Sequence, residues 1–277
     1  MRRLRQLPLA LVIGGTVVAV LLITAVFGPL LAPDSATAGN IAQRLWNVGT
    51  AGHLLGTDGE GRDVLSRLII GARPTMIAGI VPVLVGGILG TALGILAGMS
   101  RRGVRSLIMR TLDVFYAFPA ILLAIAIGAA LGPGVGNAII SLSIVLIAPI
   151  ARVAESEVLQ MRSADFMEAA YASGARRVRI ARRHVLPNIA PPLIVYCTSL
   201  IGLCIVYAAG LSFLGLGVVP PHPDWGGMLN DLRSDVFTNS VLSLVPAIAI
   251  FIASIGFNLL GGGLRQLLNV RERDVAA

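Results

Sequence analysis

The chain contains no lysine at any of its 277 positions, and all 22 of its basic residues are arginines. A Walker A loop requires a lysine to bind the phosphates of a nucleotide, so this chain cannot contain one. We therefore predict that the protein does not hydrolyse ATP by itself and that the chain holds no cofactor of its own.

Charged and aromatic residues are also scarce. Charged residues make up 13% of the chain and hydrophobic residues 56%, whereas a soluble domain carries about 25% charged residues. Such a composition cannot cover a water-facing surface, so most of the surface is expected to contact lipid or protein. Aromatic residues make up 5%, and no basic stripe is interleaved with stacking side chains. Nucleic-acid binding is therefore not expected, despite the net charge of +8.

The chain has only two cysteines, Cys197 and Cys204, which lie in one apolar run. On a helix, residues seven apart lie about 10 Å from each other, which is too far for a disulfide. We interpret both as packing residues. His53 and His222 are isolated, and no span carries a nucleophile with a base. We therefore expect no metal site and no catalytic residues.

Five blocks contain no charged residue: 6–33, 74–100, 114–151, 185–223 and 236–264. A helix needs about 20 apolar residues to cross the hydrocarbon core of a bilayer. The block 114–151 is long enough for two crossings, and Gly-Pro-Gly at 132–134 predicts a tight turn between them. The first run is longer than that of a signal peptide, so we expect a retained helix. The sequence thus predicts an all-α integral membrane protein with six transmembrane helices, at 9–31, 75–99, 113–131, 137–155, 190–215 and 242–263.

The distribution of arginine predicts the orientation of these helices. With the N-terminus inside, inner segments contain 17 of the 22 arginines and outer loops contain the other 5. Because positive charge accumulates on the cytoplasmic side, both termini are predicted to be cytoplasmic. We divide the chain into an N-terminal part, 1–73, with the first span and an outer loop, and a core of five spans, 74–277. The core includes a cytoplasmic loop, 156–189.

The cytoplasmic loop combines positive charge with helix-forming sequence. The stretch "ADFMEAAYAS" (164–173) predicts a helix with Ser163 as its N-cap, and Gly174 can end it in a left-handed conformation. The stretch "ARRVRIARRHVL" (175–186) predicts a second helix that Pro187 ends before the fifth span. A loop that only fixed the topology would need the arginines. It would not need the Glu-Ala-Ala, the glycine or the Leu-Pro.

Those residues carry a resemblance to a known family. Three features resemble the signature of ABC importer permeases, in the form of the peptide and nickel branch: Glu-Ala-Ala at 168–170, Gly174 after three intervening residues, and "HVLP" at 184–187. The stretches "LGTDGEGRDVLSRLIIGAR" (55–73), "LSFLGLG" (211–217) and "DWGGML" (224–229) are similar to the C-type subunit of dipeptide and oligopeptide importers. Gly59 and Glu60 replace a bulkier pair that is more usual there.

The resemblance implies a type I ABC importer-like permease in the bacterial cytoplasmic membrane, multi-pass, with a cytoplasmic coupling helix. Its implied partners are a homologous second permease, two ABC ATPase subunits or domains that bind ATP and Mg²⁺, an extracytoplasmic solute-binding protein and the lipid bilayer. The residues that it assigns to the ATPase contact are Glu168, Ala169, Ala170, Gly174, His184, Leu186 and Pro187.

The outer loop, 34–73, has two interpretations. Its four acids and four arginines fit a solvated face or an interfacial helix. From the resemblance, the loop instead helps to receive the solute-binding protein. Trp46 and Trp225 fit interfacial anchors or partner contacts. The residues assigned to the binding-protein contact are Gly61, Arg62, Asp63, Asp224 and Trp225.

The expected function is that of a non-catalytic permease, which forms half of the pathway for di- or oligopeptides. A nickel or other small-solute importer is the alternative within the same family. An ion-coupled secondary transporter would need ionisable groups within its spans, and the span centres contain none. The sequence assigns no residue to the solute.

Overall fold

The computed structural model describes residues 7–237 and 239–275, and the regular structure of these residues is helical. The described residues form ten α-helices: α1 (Leu9–Leu31), α2 (Val64–Met99), α3 (Arg102–Tyr116), α4 (Ala120–Leu131), α5 (Val135–Met161), α6 (Asp165–Ala172), α7 (Arg177–Ile180), α8 (Leu186–Phe213), α9 (Trp225–Asp231) and α10 (Ser240–Val275). Two 3₁₀ turns, Ile41–Gln43 and Arg233–Asp235, and a π-helical turn, Ala181–Val185, complete the order.

The predicted all-α membrane architecture is confirmed. Five segments of the described chain are long and apolar enough to cross a membrane: α1, α2, α5, the continuous helix Arg177–Phe213, and Ser240–Leu268 of α10. The helices α3 and α4 together supply a sixth, although they are bent by 84° at a short break. The turn predicted at Gly-Pro-Gly lies between α4 and α5, with Gly132 and Gly134 both at positive φ.

The third span differs from the prediction, because it is not one straight helix over 113–131. The helix α3 ends at Tyr116, and α4 has only 12 residues. Proline disfavours the helical conformation of the preceding residue, so the chain bends at Phe118 and Pro119. At 1.5 Å per residue, α4 is about 18 Å long, which is short of the roughly 30 Å hydrocarbon core.

The second span begins earlier than predicted, at Val64 rather than at 75. Asp63 caps this helix, and its carboxylate accepts a hydrogen bond from the Ser66 amide at 2.7 Å. A helix of 36 residues is longer than a bilayer requires, so its first turns lie within the stretch that we defined as the outer loop, 34–73. The division that we predicted after residue 73 lies inside this helix.

Four glycines spaced four residues apart on α2 let it approach α5 closely: Gly86, Gly90, Gly94 and Gly98. A Cβ atom at Gly94 would lie 2.5 Å from the Ala151 carbonyl oxygen and 2.5 Å from the Ala154 Cβ. Small residues at every fourth position permit this kind of contact between membrane helices. These glycines therefore serve packing within the chain, whereas Gly87 lies on a different face and lines an open cleft.

Two apolar cores hold the helices together. The first lies among α4, α5 and α8, and it also includes Met167, Ile180 and Val185 from the segment between α5 and α8. The second lies among α1, α2, α9 and α10, where Trp225 and Phe257 are its large side chains. The first core fixes the segment between α5 and α8 to the bundle, and the second fixes α9 and the outer loop.

Candidate functional site

Residues 163–187, which we name the coupling element, form two short helices joined at a glycine. Gly174 has φ of +76°, so the predicted left-handed conformation at this residue is confirmed. Gly174 is exposed, and a Cβ atom added there would meet no other atom within 4 Å. The constraint at this position is therefore the backbone angle and not the available space.

One face of the coupling element is buried against the bundle. Met167, Ala170, Ile180 and Val185 all pack into the first core. Ala170 is only 8% exposed, although it was assigned to the ATPase contact. Its methyl group faces the chain's own interior, because it follows Met167 by three residues and so lies on the same helix face.

The opposite face of the coupling element is open. Glu168, Ala169 and Gly174 are exposed, as expected for residues that meet a partner. Val178 is 68% exposed, whereas Ile180 and Val185 of the same segment are buried. The exposed residues of the coupling element thus include the Glu168 carboxylate together with small and apolar side chains.

The second helix of the coupling element does not end at Pro187, and this prediction is wrong. The chain continues from Arg177 to Phe213 as one helical segment, with a π-helical turn at Ala181–Val185. Proline lacks an amide hydrogen and its ring crowds the carbonyl four residues earlier. A wider turn before Pro187 accommodates the ring, as π-bulges do elsewhere in helices. His184 is half-buried, while Leu186 and Pro187 are exposed on this continuous helix.

The arginines of the coupling element are exposed. The five are Arg176, Arg177, Arg179, Arg182 and Arg183. Among the residues that the structure describes, none of them forms an ion pair. This segment therefore presents five positive charges that no carboxylate of the described residues neutralises in an ion pair.

A second charged cluster joins α3 to α5 at the same end of the bundle. The Arg105 Nε atom lies 2.5 Å from the Glu155 Oε1 atom. Arg152 pairs with Asp113, and its guanidinium carbon lies 5.7 Å from the centre of the Tyr116 ring. The sequence placed Asp113, Arg152 and Glu155 at predicted span ends, but it gave no sign that they pair across helices.

At the other end of the bundle, charged side chains of the outer loop are buried together. The Asp58 Oδ2 atom lies 2.7 Å from Arg62 Nε and 3.3 Å from Arg67 Nε. The Asp231 Oδ2 atom lies 3.2 Å from Arg62 Nη2 and 2.9 Å from Arg67 Nη2. The Arg62 and Arg67 side chains are 5% and 3% exposed. This outer network attaches the loop to α2 and α9, so its arginines and Asp58 are not part of a solvated face.

The residue that begins α9, Asp224, is also buried. Its carboxylate accepts hydrogen bonds from the Ser212 hydroxyl at 2.7 Å and from the amides of Gly226 and Gly227. Burial raises the pKa of Asp224 above its ordinary value, although these three hydrogen bonds oppose the increase. The neighbouring Trp225 is buried, and its indole N–H donates to the Leu68 carbonyl at 2.9 Å. Trp225 is therefore a core residue and not an interfacial anchor.

All five residues assigned to the binding-protein contact lie inside the chain: Gly61, Arg62, Asp63, Asp224 and Trp225. Asp63 also accepts from His53, whose Nδ1 atom lies 3.0 Å from Oδ1 of Asp63. Their contact with a partner stays a prediction. In this structure the five residues support the outer loop and α9 from inside. The large apolar side chains that are exposed at this end of the bundle belong to other residues, among them Ile41, Leu54 and Phe237.

Comparison with known proteins agrees with this architecture. Residues 90–274 match the family described as "Binding-protein-dependent transport system inner membrane component". A dipeptide transport system permease protein of Alkalihalophilus pseudofirmus is 40% identical over 273 residues, which cover 99% of this chain and 89% of the relative. A glutathione transport system permease protein of Pectobacterium atrosepticum is 40% identical over 263 residues, which cover 95% of this chain and 87% of the relative.

The fold is also similar to that of a solved transporter. A chain from inward-facing conformations of the MetNI methionine ABC transporter aligns with a TM-score of 0.61 and 20% identity. The alignment covers 72% of this chain and 95% of that chain. At this identity the likeness establishes the fold, whereas the family follows from the sequence matches. The chain therefore belongs to the family of inner membrane components of binding-protein-dependent transport systems, as a non-catalytic permease subunit of an ABC transporter.

Proposed function

We propose that this chain forms half of the translocation pathway of an ATP-driven importer for short peptides, with both termini in the cytoplasm. The observation that carries the proposal is the coupling element. One face packs into the permease core through Ala170 and Ile180, while Glu168 and Ala169 on the other face are exposed. An element held rigidly on one side and open on the other can transmit a movement of an attached ATPase to the helices.

The energy source must lie outside this chain, since the chain has no lysine for a phosphate-binding loop. Two ATPase subunits or domains, which bind ATP and Mg²⁺, would supply it. The exposed small side chain of Ala169 allows the coupling element to enter a groove closely. Glu168 would fix the register through a basic partner residue, and the arginines beside it through acidic ones. His184 in the π-helical turn and Leu186 at the start of α8 would extend this contact.

The outer segment would receive an extracytoplasmic solute-binding protein. The outer network keeps the loop in one conformation, so its exposed side chains are presented in a fixed arrangement. Gly61, Arg62, Asp63, Asp224 and Trp225 are buried and would act by supporting that surface. A second, homologous permease would complete the pathway.

Short peptides are the solute class that the relatives favour. One relative is named for dipeptide transport and another for glutathione transport, and each matches at least 95% of this chain. Dipeptides and glutathione share peptide bonds and charged termini. A permease that accepts varied peptides needs little recognition of side chains, and selection for the solute would then lie mainly with the binding protein.

The proposal is tested by reconstituting the whole importer in proteoliposomes. This chain, its partner permease, both ATPases and the binding protein are combined, and uptake of a radiolabelled dipeptide is measured with ATP on the cytoplasmic side. We expect uptake that requires ATP, the binding protein and this chain. Uptake that persists without ATP, or no uptake of any di- or tripeptide by the intact complex, would overturn the proposal.

A further inference from the structure

Two clefts of about 560 Å³ each flank α8, and their linings differ in polarity. The apolar cleft lies between α2 and α8 and is lined by aliphatic and small residues, with Thr91 and Thr198 among them. The polar cleft lies among α8, α10 and the end of α5. Both volumes are in the range of small-molecule sites, about 300–1,000 Å³. Volume alone therefore does not distinguish the two clefts. The residues that line them do.

The polar cleft contains side chains of opposite charge together with hydroxyl and amide groups. Its polar lining consists of Glu157, Tyr196, Ser199, Asn258 and Arg265. Glu157 and Arg265 lie just beyond the charge-free blocks 114–151 and 236–264. Among the side chains that the structure describes, neither forms an ion pair or a side-chain hydrogen bond. One carboxylate and one guanidinium are thus available to a ligand in the same cleft.

The hydroxyl of Ser199 and the amide of Asn258 retain acceptor capacity. The Ser199 hydroxyl donates to the Val195 carbonyl at 3.3 Å, and the Asn258 amide nitrogen donates to the Ser254 carbonyl at 2.9 Å. Each bond uses a donor and leaves the side-chain oxygen able to accept. The cleft therefore offers acceptors to peptide N–H groups, in addition to the two charges.

The lining suits a small zwitterion better than a lipid chain. An acyl chain gains nothing from a carboxylate, a guanidinium and an amide, and it fits the apolar cleft on the other side of α8. A free short peptide carries an ammonium group, a carboxylate and peptide N–H groups. Because every peptide has the same termini, a site that binds the termini accepts peptides of different side chains.

We propose that the polar cleft is the cytoplasmic solute site of this permease, with the peptide ammonium at Glu157 and the peptide carboxylate at Arg265. The cleft lies at the end of the bundle where α5 ends and α8 begins, and these two helices flank the coupling element. A movement of that element would therefore act directly on the walls of the cleft. The inference rests on the proposed import of short peptides.

Adjacent residues on α8 provide a matched test, because Ser199 lines the polar cleft and Thr198 lines the apolar one. Ser199→Cys and Thr198→Cys are made separately after both native cysteines are replaced by alanine. Each variant is assembled with its partner permease and ATPases in nanodiscs, without the binding protein. The rate at which a thiol reagent labels the cysteine is then measured with and without dialanine. We expect labelling at position 199 to slow about fivefold at a dialanine concentration about four times its dissociation constant, since only the free site reacts. Labelling at position 198 should not change.

The role of the two charges is tested in the same assay. Glu157→Gln and Arg265→Gln should each raise the dialanine concentration for half-protection about tenfold, as loss of a charge-assisted bond predicts. Arg162→Gln removes a charge at the same end but outside the cleft and should have no effect. Dialanine with both termini blocked should not protect. Equal protection at both cysteines, protection by the blocked peptide, or no protection at position 199 would overturn the inference.

The proteoliposome assay separates failure of this site from failure of the proposed function. If the intact importer takes up dialanine while position 199 remains fully reactive, the solute site lies elsewhere and the function stands. If the importer takes up no peptide, both the proposed function and the assignment of this cleft are wrong.

Discussion

The backbone angle at Gly174 gives a sharp prediction about coupling. Its φ of +76° lies in the left-handed region, which costs an L-residue roughly 1–2 kcal/mol. Because a Cβ atom there would meet nothing within 4 Å, a side chain adds no clash within this chain. Gly174→Val should therefore act through the backbone alone, by moving the joint between α6 and α7 out of its conformation.

The magnitude follows from that conformational cost. A change of 1–2 kcal/mol lowers the ratio of the competent to the altered conformation by a factor of about 5–30. If the ATPase binds only the competent conformation, its apparent dissociation constant for the permease pair rises by up to the same factor. Asparagine tolerates the left-handed region, so Gly174→Asn should change this constant by less than about threefold.

The assay measures ATPase binding to the permease pair in nanodiscs, together with transport-stimulated ATP hydrolysis. Gly174→Asn should retain the wild-type thermal unfolding temperature, whereas Gly174→Val should lower it by no more than a few degrees, because the strain amounts to about 1–2 kcal/mol at an exposed joint. Wild-type affinity for Gly174→Val would refute the reasoning. Equal losses for valine and asparagine would also refute it, since they would indicate a steric contact at this position instead of a backbone requirement.

Three further changes test other parts of the structure. Glu168→Arg should lower transport-stimulated ATP hydrolysis without changing membrane insertion, whereas a loop that only set the topology would tolerate it. Gly94→Ala should lower the unfolding temperature because its Cβ would lie 2.5 Å from atoms of α5. Gly87→Ala, whose nearest contact would be 3.7 Å, is the control and should leave that temperature unchanged. Asp58→Asn should reduce the free energy of unfolding by about 3 kcal/mol, since it removes the buried carboxylate that pairs with Arg62 and Arg67 and leaves them only the more exposed Asp231. The exposed Glu60→Gln should change it by less than about 1 kcal/mol.

The sequence predicted the membrane-spanning segments well wherever one charge-free block equals one helix. It missed the bend between α3 and α4, because the block 114–151 continues through it without a charge. The signal was Pro119, which follows Phe118 within that block. This proline lies in an uninterrupted apolar stretch, so hydropathy alone did not indicate a bend. The arginines on α3 precede the block and therefore did not interrupt it either. The opposite error occurred at Pro187, where proline was taken to end the helix although a π-helical turn keeps the helix continuous.

The sequence indicates which residues belong to the candidate site, but it does not indicate which of their side chains face outward. The Glu-Ala-Ala signature directed attention to residues 163–187, yet only the packed structure shows that Ala169 is exposed and Ala170 buried. The outer network was beyond sequence reasoning for another reason. Asp231 meets Arg62 and Arg67 across more than 160 positions of the chain, and no local pattern encodes such a pairing. Residues assigned to a partner surface were therefore found in the interior.

Crosslinking at two adjacent alanines tests most directly that the coupling element transmits the work of the ATPase. Ala169→Cys and Ala170→Cys are made separately in a chain whose Cys197 and Cys204 are alanine, and each complex is treated with a short thiol crosslinker. We expect a permease–ATPase adduct from position 169, which is exposed, and none from position 170, which is packed into the core. ATP hydrolysis stimulated by transport should be lost when the adduct forms. No adduct from position 169, or unaltered hydrolysis once it has formed, would contradict the assignment.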